Sequence, residues 1–287
     1  MCMNILMTGA TGFIGKHLLR VLLARGHRVS LLIRPTTISP NKSWPKSVRI
    51  ISCDIHDESS YQHIPAEPFD ALVHLAWSKL ENYRSLAHMD TLLPGDMKFL
   101  RRMAERGIPK IFVSGTCFEY GLQEGCLSEE MPSAPILPYA MAKDFLRKYI
   151  QELQKKLSFQ LQWGRLFYMH GPGQNPKSLL PLLDLAIKRG DNVFNMSGGE
   201  QLRDYLRVEA MAEKITTILE NSDFDGIINI CSGKPVSVRQ LVEKKIKKTK
   251  SSIQLNLGYY PYPNYEPMAY WGNNATFEAI TGQVLNP

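Results

Sequence analysis

The sequence predicts an α/β fold: a doubly wound parallel sheet that carries a small C-terminal lobe. Three observations predict it. Short apolar runs alternate with longer stretches of helical period, the pattern of a parallel sheet covered on both faces. The first run, Ile5-Leu6-Met7-Thr8, passes straight into Gly9-Ala10-Thr11-Gly12-Phe13-Ile14-Gly15 and then into a helical pattern through Leu18, Leu19, Leu22 and Leu23. After the sixth run the chain changes character at His170-Gly171-Pro172-Gly173, and a further strand, Ile227 to Cys231, follows only much later.

Strand, glycine turn and helix together make the context of a dinucleotide fingerprint. Gly9 permits the tight turn, Gly12 lets backbone N–H groups approach a pyrophosphate, and Gly15 lets helix and strand pack closely. The diphosphate then sits at the helix N-terminus, where unpaired N–H groups and the helix dipole favour negative charge. The spacing here is G-x-x-G-x-x-G.

His27 to Ile33 reads as the second strand and ends at Arg34-Pro35. An enzyme that prefers NAD usually places an acidic residue at this strand end for the ribose 2′-hydroxyl. Here Ile33 and Arg34 stand there, and a guanidinium suits a 2′-phosphate, so NADP(H) is favoured over NAD(H). A polar loop spans 36–47. Val48 to Ser52 is the third strand, with Asp54 placed after it for an adenine amino group. Ala71 to Ala76 is the fourth, and the aromatic, polar stretch from Trp77 to His88 is expected to line a cleft at the carboxyl ends of the strands. The helix that follows contains Pro94-Gly95, so its first turn is expected to reset there.

Lys110 to Val113 is the fifth strand and delivers Ser114-Gly115-Thr116. Pro138 then opens a long helix towards Lys156 in which Tyr139 and Lys143, four apart, share a face. Phe159 to Phe167 is the sixth strand. A phenol is a reluctant acid–base group at neutral pH, and an ammonium one helical turn away favours its ionised form. A hydroxyl such as Thr116 can hold a substrate oxygen in register with the tyrosine. Thr116, Tyr139 and Lys143 are therefore the candidate catalytic group for a carbonyl reduction.

Composition bounds the remaining classes. The 287 residues are 44% apolar and 21% charged, with 34 Lys+Arg against 27 Asp+Glu, a net +7. That excess is diffuse and suits an anionic small substrate. The one basic run, Lys244, Lys245, Lys247, Lys248 and Lys250, ends an apolar-patterned helix and points to neither nucleic acid nor membrane. Five scattered cysteines without a C-x-x-C pair imply no disulfide framework and no metal site, hence a reducing cytoplasm. No apolar run reaches membrane-spanning length.

These residues together resemble the extended short-chain dehydrogenase/reductase family, the NAD-dependent epimerase/dehydratase group. TGATGFIG is similar to its phosphate loop, HLAW to its fourth-strand end, SGTCFEYG to its catalytic hydroxyl strand and PYAMAK to its Tyr-x-x-x-Lys. GRLFYMHGPG resembles the strand that closes over the nicotinamide, and GEQLRDYLRVE the segment whose arginine, here Arg203, grips the nucleotide diphosphate. GIINICSGKPVS resembles the last core strand. The resemblance implies a Rossmann-type domain over 1–166 plus about 203–232, a substrate lobe over about 167–202 plus 233–287, a nucleotide-sugar substrate and a homodimer. It implies a cofactor-binding set of Gly9, Thr11, Gly12, Phe13, Ile14, Gly15, Arg34, Asp54, Ile55, Leu75, Ala76, Ser114, Tyr139, Lys143 and Phe167. It implies substrate contacts from Trp77, Thr116, Phe118, Tyr168 and Arg203.

Departures from the family pattern narrow the activity. Sugar 4,6-dehydratases carry Thr-Asp-Glu where this chain has Thr116-Cys117-Phe118, which argues against elimination of water. Tyr168 and Leu92 stand where asparagines are usual. The motifs are most similar to reductases of nucleotide 4-keto-6-deoxy sugars, dTDP- or CDP-linked, that serve surface-polysaccharide synthesis. An epimerase with retained NAD(P)⁺ is the second reading, and a non-catalytic NADP(H) sensor the third, disfavoured by the tyrosine–lysine pair. His74 is expected to be structural; His170 stays open between turn packing and substrate approach. Cys117 lacks a histidine partner for a nucleophile. Tyr259, Tyr260, Tyr262 and Tyr265 are expected to form a loop cover over the substrate lobe.

Overall fold

The computed structural model describes residues 2–37 and 44–282. Residues 38–43 of the loop expected over 36–47 lie outside the described residues. In chain order, β1 (Asn4–Thr8) leads through the glycine turn to α1 (Phe13–Ala24), followed by β2 (Arg28–Ile33), β3 (Arg49–Ser52) and β4 (Ala71–His74). Next come α2 (Leu93–Glu105), β5 (Lys110–Thr116), β6 (Gly125–Leu127), α3 (Pro138–Gln154), β7 (Gln160–Leu166) and β8 (Tyr168–His170). The rest is α4 (Leu179–Arg189), β9 (Val193–Asn195), β10 (Leu202–Arg207), α5 (Val208–Glu220), β11 (Gly226–Ile230), β12 (Pro235–Ser237), α6 (Val238–Thr249), β13 (Gln254–Asn256), β14 (Tyr270–Gly272) and α7 (Ala275–Thr281).

Seven strands form one parallel sheet in the order β11-β7-β5-β4-β1-β2-β3. The chain runs outward from β1 to β3, then crosses back to β4 on the other side of β1. That reversal opens a crevice beyond the carboxyl ends of β1 and β4, the place where open α/β sheets of the Rossmann type bind ligands. Thr8 and His74, the last residues of these strands, are register partners.

Each face of the sheet is covered. Phe99, Leu100 and Met103 of α2 and Leu146 and Ile150 of α3 pack on one side, against Leu6, Leu72, Ile111 and Leu161. Leu18 and Leu22 of α1 and Ile215 and Leu219 of α5 cover the other, against Ile5, Met7 and Val73. Leu18 and Leu22, fully buried and one turn apart, each stabilise the docking of α1 by about 2 kcal/mol. As Pro94 requires, the chain takes a wide π-turn over His88–Leu92 before α2 settles into α geometry with the proline in its first turn.

The remaining strands are short. β10 pairs parallel with β8 and antiparallel with β12, β13 pairs with β9, and β14 with β6. Leu183, Ala186, Phe194, Met196, Val242 and Ile253 make a separate small core between α4, α6 and the β9–β13 pair. β10, placed in the Rossmann domain by the sequence expectation, thus pairs with two strands placed in the substrate lobe. Among the described residues no helix is long and apolar enough to cross a membrane.

Candidate active site

The glycine turn is shaped by what it must not carry. Gly9 has φ +75°, and a Cβ there would lie 2.7 Å from the Ala76 nitrogen and the Leu75 carbonyl carbon. A Cβ on Gly15 would lie 2.1 Å from the Gly9 oxygen. Gly12 is the extended N-cap of α1, its N–H bonded to the Gly9 oxygen at 3.0 Å, and no side chain caps the helix. The first turn of α1 holds no acidic residue. Backbone N–H groups there remain directed at the crevice, a seat for an anionic diphosphate.

From that turn a cleft runs over the ends of β1–β4, lined by Gly9, Thr11, Gly12, Arg34, Asp54, Ile55, Leu75 and Ala76. Eight residues assigned to cofactor from the sequence thus share one wall-to-wall cavity. Trp77, assigned to substrate, lines it too, as do Thr8, Cys53 and His56, which sequence reasoning did not single out. Phe13 and Ile14 lie in the first turn of α1, where Phe13 meets His17 edge-on at 6.0 Å and the His17 Nε2 contacts the Pro172 oxygen at 2.9 Å. Phe167 is different: its side chain is buried with Tyr120, Leu127, Cys231 and Tyr270, away from the cleft lining.

Beneath the cleft runs a buried polar chain. The Thr8 hydroxyl meets His74 Nδ1 at 3.0 Å, His74 Nε2 meets Asp96 Oδ1 at 2.6 Å, and Asp96 Oδ2 meets His56 Nε2 at 3.2 Å. Burial acts to raise the Asp96 carboxyl, but hydrogen bonds from the two imidazoles hold it below its ordinary value. Burial depresses His74, while the bond to Asp96 raises His56. Asp96 is thus held towards its charged form and His74 towards its neutral one, while His56 at the cleft wall is shifted towards protonation. His74 is the structural strand-end histidine the sequence suggests. Asp96 went unnoticed, although its place on the apolar stripe of α2 between Leu93 and Phe99 is a legible signal.

Tyr139 and Lys143, one turn apart on α3, both meet Trp77 of the cleft wall, and Thr116 at the end of β5 lies beside Tyr139. Pro138 and the extended N-cap Leu137 start α3 so that Tyr139 falls in its first turn. The Thr116 side chain lies beside the Tyr139 phenol and partly offsets the upward push of burial on it. Lys143, 1% exposed, donates to the Ser114 carbonyl at 2.8 Å and sits 4.0 Å from the Trp77 ring centroid. Burial lowers its ammonium to about 8, opposed by the charges of Asp96 and Glu119. Tyr139 is pushed well above its ordinary value, mainly by burial. In the substrate-free protein the phenol therefore keeps its proton.

An aromatic box surrounds the phenol. Tyr83 stacks on Tyr139 at 5.1 Å, Trp77 meets it edge-on at 6.1 Å and His88 tilts against it at 5.4 Å. Phe118 bridges Tyr83 and Tyr168, and Tyr168 shares a 2.7 Å hydroxyl contact with Tyr270. Trp77, Phe118 and Tyr168 thus line one aromatic wall, to which the structure adds Tyr83, His88 and Tyr270. Arg203 lies beside it, over the Tyr270 ring at 4.5 Å, and is paired with Glu266 at 2.9 Å. Cys117 is buried and its thiol raised by burial, which keeps it from acting as a nucleophile. Tyr265 packs on Arg84, whose guanidinium donates to Asn264, so the Tyr/Pro segment reaches back to the aromatic box.

All five cysteines are free, and no cluster of metal-binding side chains occurs among the described residues.

A family model described as the NAD dependent epimerase/dehydratase family matches residues 5–231. The dTDP-6-deoxy-L-talose 4-dehydrogenase (NAD(+)) of Aggregatibacter actinomycetemcomitans is 31% identical over 272 residues, 94% of this chain and 99% of its own. A putative UDP-glucose 4-epimerase of Methanocaldococcus jannaschii is 25% identical over 248 residues, 83% of this chain and 80% of its own. In fold, the chain matches the UDP-N-acetylglucosamine 4-epimerase of Methanobrevibacter ruminantium M1 in complex with UDP-N-acetylmuramic acid. That match has a TM-score of 0.83 at 22% identity, over 98% of this chain and 92% of that one. The glycine turn, the uncapped α1 and the matched 227 residues (5 to 231) agree: this chain is an enzyme of the NAD-dependent epimerase/dehydratase family.

Proposed function

We propose that the protein is an NADPH-dependent reductase of the C4 ketone of a dTDP- or CDP-linked 4-keto-6-deoxyhexose, working in deoxysugar and surface-polysaccharide biosynthesis. The observation that carries this reading is Tyr139 beside Thr116, with Lys143 one helical turn on and held at the Ser114 carbonyl, in a site with Cys117 and Phe118 where elimination of water needs an acid pair. The 31% identical relative supports it, because that enzyme is named for oxidation at C4 of a dTDP-linked 6-deoxy sugar, the same bond read in the opposite direction.

When bound along the glycine turn, the nicotinamide nucleotide supplies the hydride. The chain's own residues do the rest. Thr116 and Tyr139 hold the C4 oxygen from one side, so that it is polarised before reaction. Tyr139 gives its proton to that oxygen as the carbon gains hydride, and Lys143 stabilises the phenolate left behind. Trp77, Phe118 and Tyr168 offer apolar rings to the sugar face and its methyl group. Arg203 is positioned for the diphosphate once its guanidinium exchanges Glu266 for a phosphate oxygen.

Reduction requires the charged Lys143. Its ammonium, lowered to about 8, is present below that pH and lost above it. The rate of reduction is therefore expected to fall as pH rises through about 8, read as the basic limb of kcat in a pH series; a flat profile to pH 10 would contradict the role given to Lys143.

The NADP(H) preference rests on Ile33 and Arg34, which line the cleft beside Asp54. Arg34→Leu should raise the KM for NADPH by about 10- to 100-fold, the worth of one charge-assisted hydrogen bond, and leave NADH nearly unchanged. Equal losses for both nucleotides would refute the assignment.

The epimerase relatives favour a second reading, in which NAD(P)⁺ is held tightly and reused. It predicts nucleotide released from the purified, denatured protein and turnover without added cofactor. A homodimer is part of the proposal as well: Met141 and Phe145 on α3 are 40% and 51% exposed, an apolar face suited to a second copy.

A further inference from the structure

Behind the hydroxyl strand lies a buried carboxylate that no step above uses. Glu119, 0% exposed, stands in the single turn that follows β5. Its carboxylate accepts from the Thr116 N–H at 2.9 Å, from Trp163 Nε1 at 3.1 Å and from Arg165 Nε at 2.9 Å, with Arg147 Nε at 3.9 Å. It lies so close under the strand that a Cβ on Gly115 would be 2.5 Å from its Oε1 and 2.2 Å from Trp163 Nε1. The bond is reciprocal: while Glu119 holds the Thr116 N–H, Thr116 Oγ1 accepts from the Phe118 N–H at 3.3 Å. One lone pair of the Thr116 hydroxyl is thereby engaged from behind.

The surroundings show that charge, and not only shape, is being held. Arg165 stacks over Tyr120 at 4.4 Å, its Nη1 is buried without a hydrogen-bond partner, and Tyr120 donates to Asn229 at 2.8 Å. The ends of β5, β7 and β11 are thus tied around one carboxylate paired with Arg165. Burying a carboxylate is costly, and an aliphatic side chain would fill the space without that cost.

We propose that Glu119 is a positioning residue: it fixes the Thr116 hydroxyl through the reciprocal cap, and it holds a charge behind the strand end that Thr116 and Ser114 present to Tyr139 and Lys143. The proposal rests on the reading of Tyr139 as the proton donor. The groups facing Lys143 are Asp96 on α2, His74 on β4 and Glu119; those facing Tyr139 are Tyr83, His88, Cys117, Thr116 and Glu119. Asp96 supports Lys143 from the opposite side.

The test is Glu119→Gln, which keeps an acceptor for Thr116 and Trp163 but removes the charge. Because this strands Arg165, the doubly neutral Glu119→Gln/Arg165→Met variant is measured beside it. In folded protein, kcat should fall about tenfold or more while the KM for the sugar nucleotide stays within about twofold. The basic limb of the pH profile should move to lower pH, and Glu119→Asp should restore it. A folded, charge-free variant with wild-type kcat and an unmoved basic limb would overturn the proposal. Titration of the Lys143 Cε resonance in substrate-free, ¹³C-lysine-labelled protein separates the two readings. A midpoint lowered by loss of Glu119 sustains the charge role even if the wild type reduces no ketone, and an unchanged midpoint overturns it.

Discussion

Tyr139→Phe should lower kcat for ketone reduction by about 10³-fold or more, within the range that a positioned general acid contributes, while NADPH affinity changes less than about threefold. The physical basis is the box around the ring. Tyr83, Trp77 and His88 contact the ring itself, so phenylalanine keeps those contacts and the fold should be unaffected. What disappears is the hydroxyl beside Thr116, and with it the proton that burial keeps in place. Stopped-flow turnover together with calorimetric NADPH binding would measure both sides of the split. Near-wild-type turnover in the variant would remove Tyr139 from the mechanism.

Gly15→Ala should cost both stability and cofactor. The added Cβ would lie 2.1 Å from the Gly9 oxygen and 2.8 Å from the Ala10 Cα, all backbone, so the helix start must move off the strand. Forcing a methyl group into such a contact costs typically 1–3 kcal/mol, and the displaced helix N-terminus should weaken NADPH binding by about 100-fold. Gly12→Ala is the informative contrast. Gly12 has φ −77° and ψ 178°, comfortable for alanine, and its Cβ meets only the Gly9 oxygen at 3.2 Å. That variant should melt within a few degrees of wild type and still bind nucleotide poorly, because its methyl group faces the phosphate seat. Thermal melts and binding isotherms on the two variants decide between a structural and a phosphate-binding role for the loop.

Most of what positions this site was legible in the sequence, for reasons that can be named. The seven strands of the main sheet are buried on both faces, so they read as apolar runs, and turns or glycines mark their ends. The phosphate loop is legible because its glycines answer steric demands of the backbone, and Tyr139 and Lys143 because a helix places residues four apart on one face. The strands β6, β9 and β14 were not visible, since three residues each carry no period. Buried charges were the other omission. Glu119 reads as a polar residue between Phe118 and Tyr120, and only the approach of β7 reveals that Trp163 and Arg165 converge on it. His56 and Asp96 are joined across 40 residues. Arg203 was expected to face a diphosphate; its ion pair with Glu266, 63 residues downstream, depends on how the C-terminal segment folds back, which no local pattern encodes. Phe167 was expected at the cofactor, whereas its side chain points into the small core beneath β14.

The central claim is that hydride passes from the nicotinamide to sugar C4. NADPH carrying deuterium at the transferable position of nicotinamide C4, mixed with a dTDP- or CDP-linked 4-keto-6-deoxyhexose freshly made by a dehydratase, tests it most directly. One NADP⁺ is expected for each sugar reduced, with deuterium bound at C4 of the product. Unlabelled product with the C4 configuration inverted and no net consumption of NADPH would contradict it and assign the protein to the epimerases.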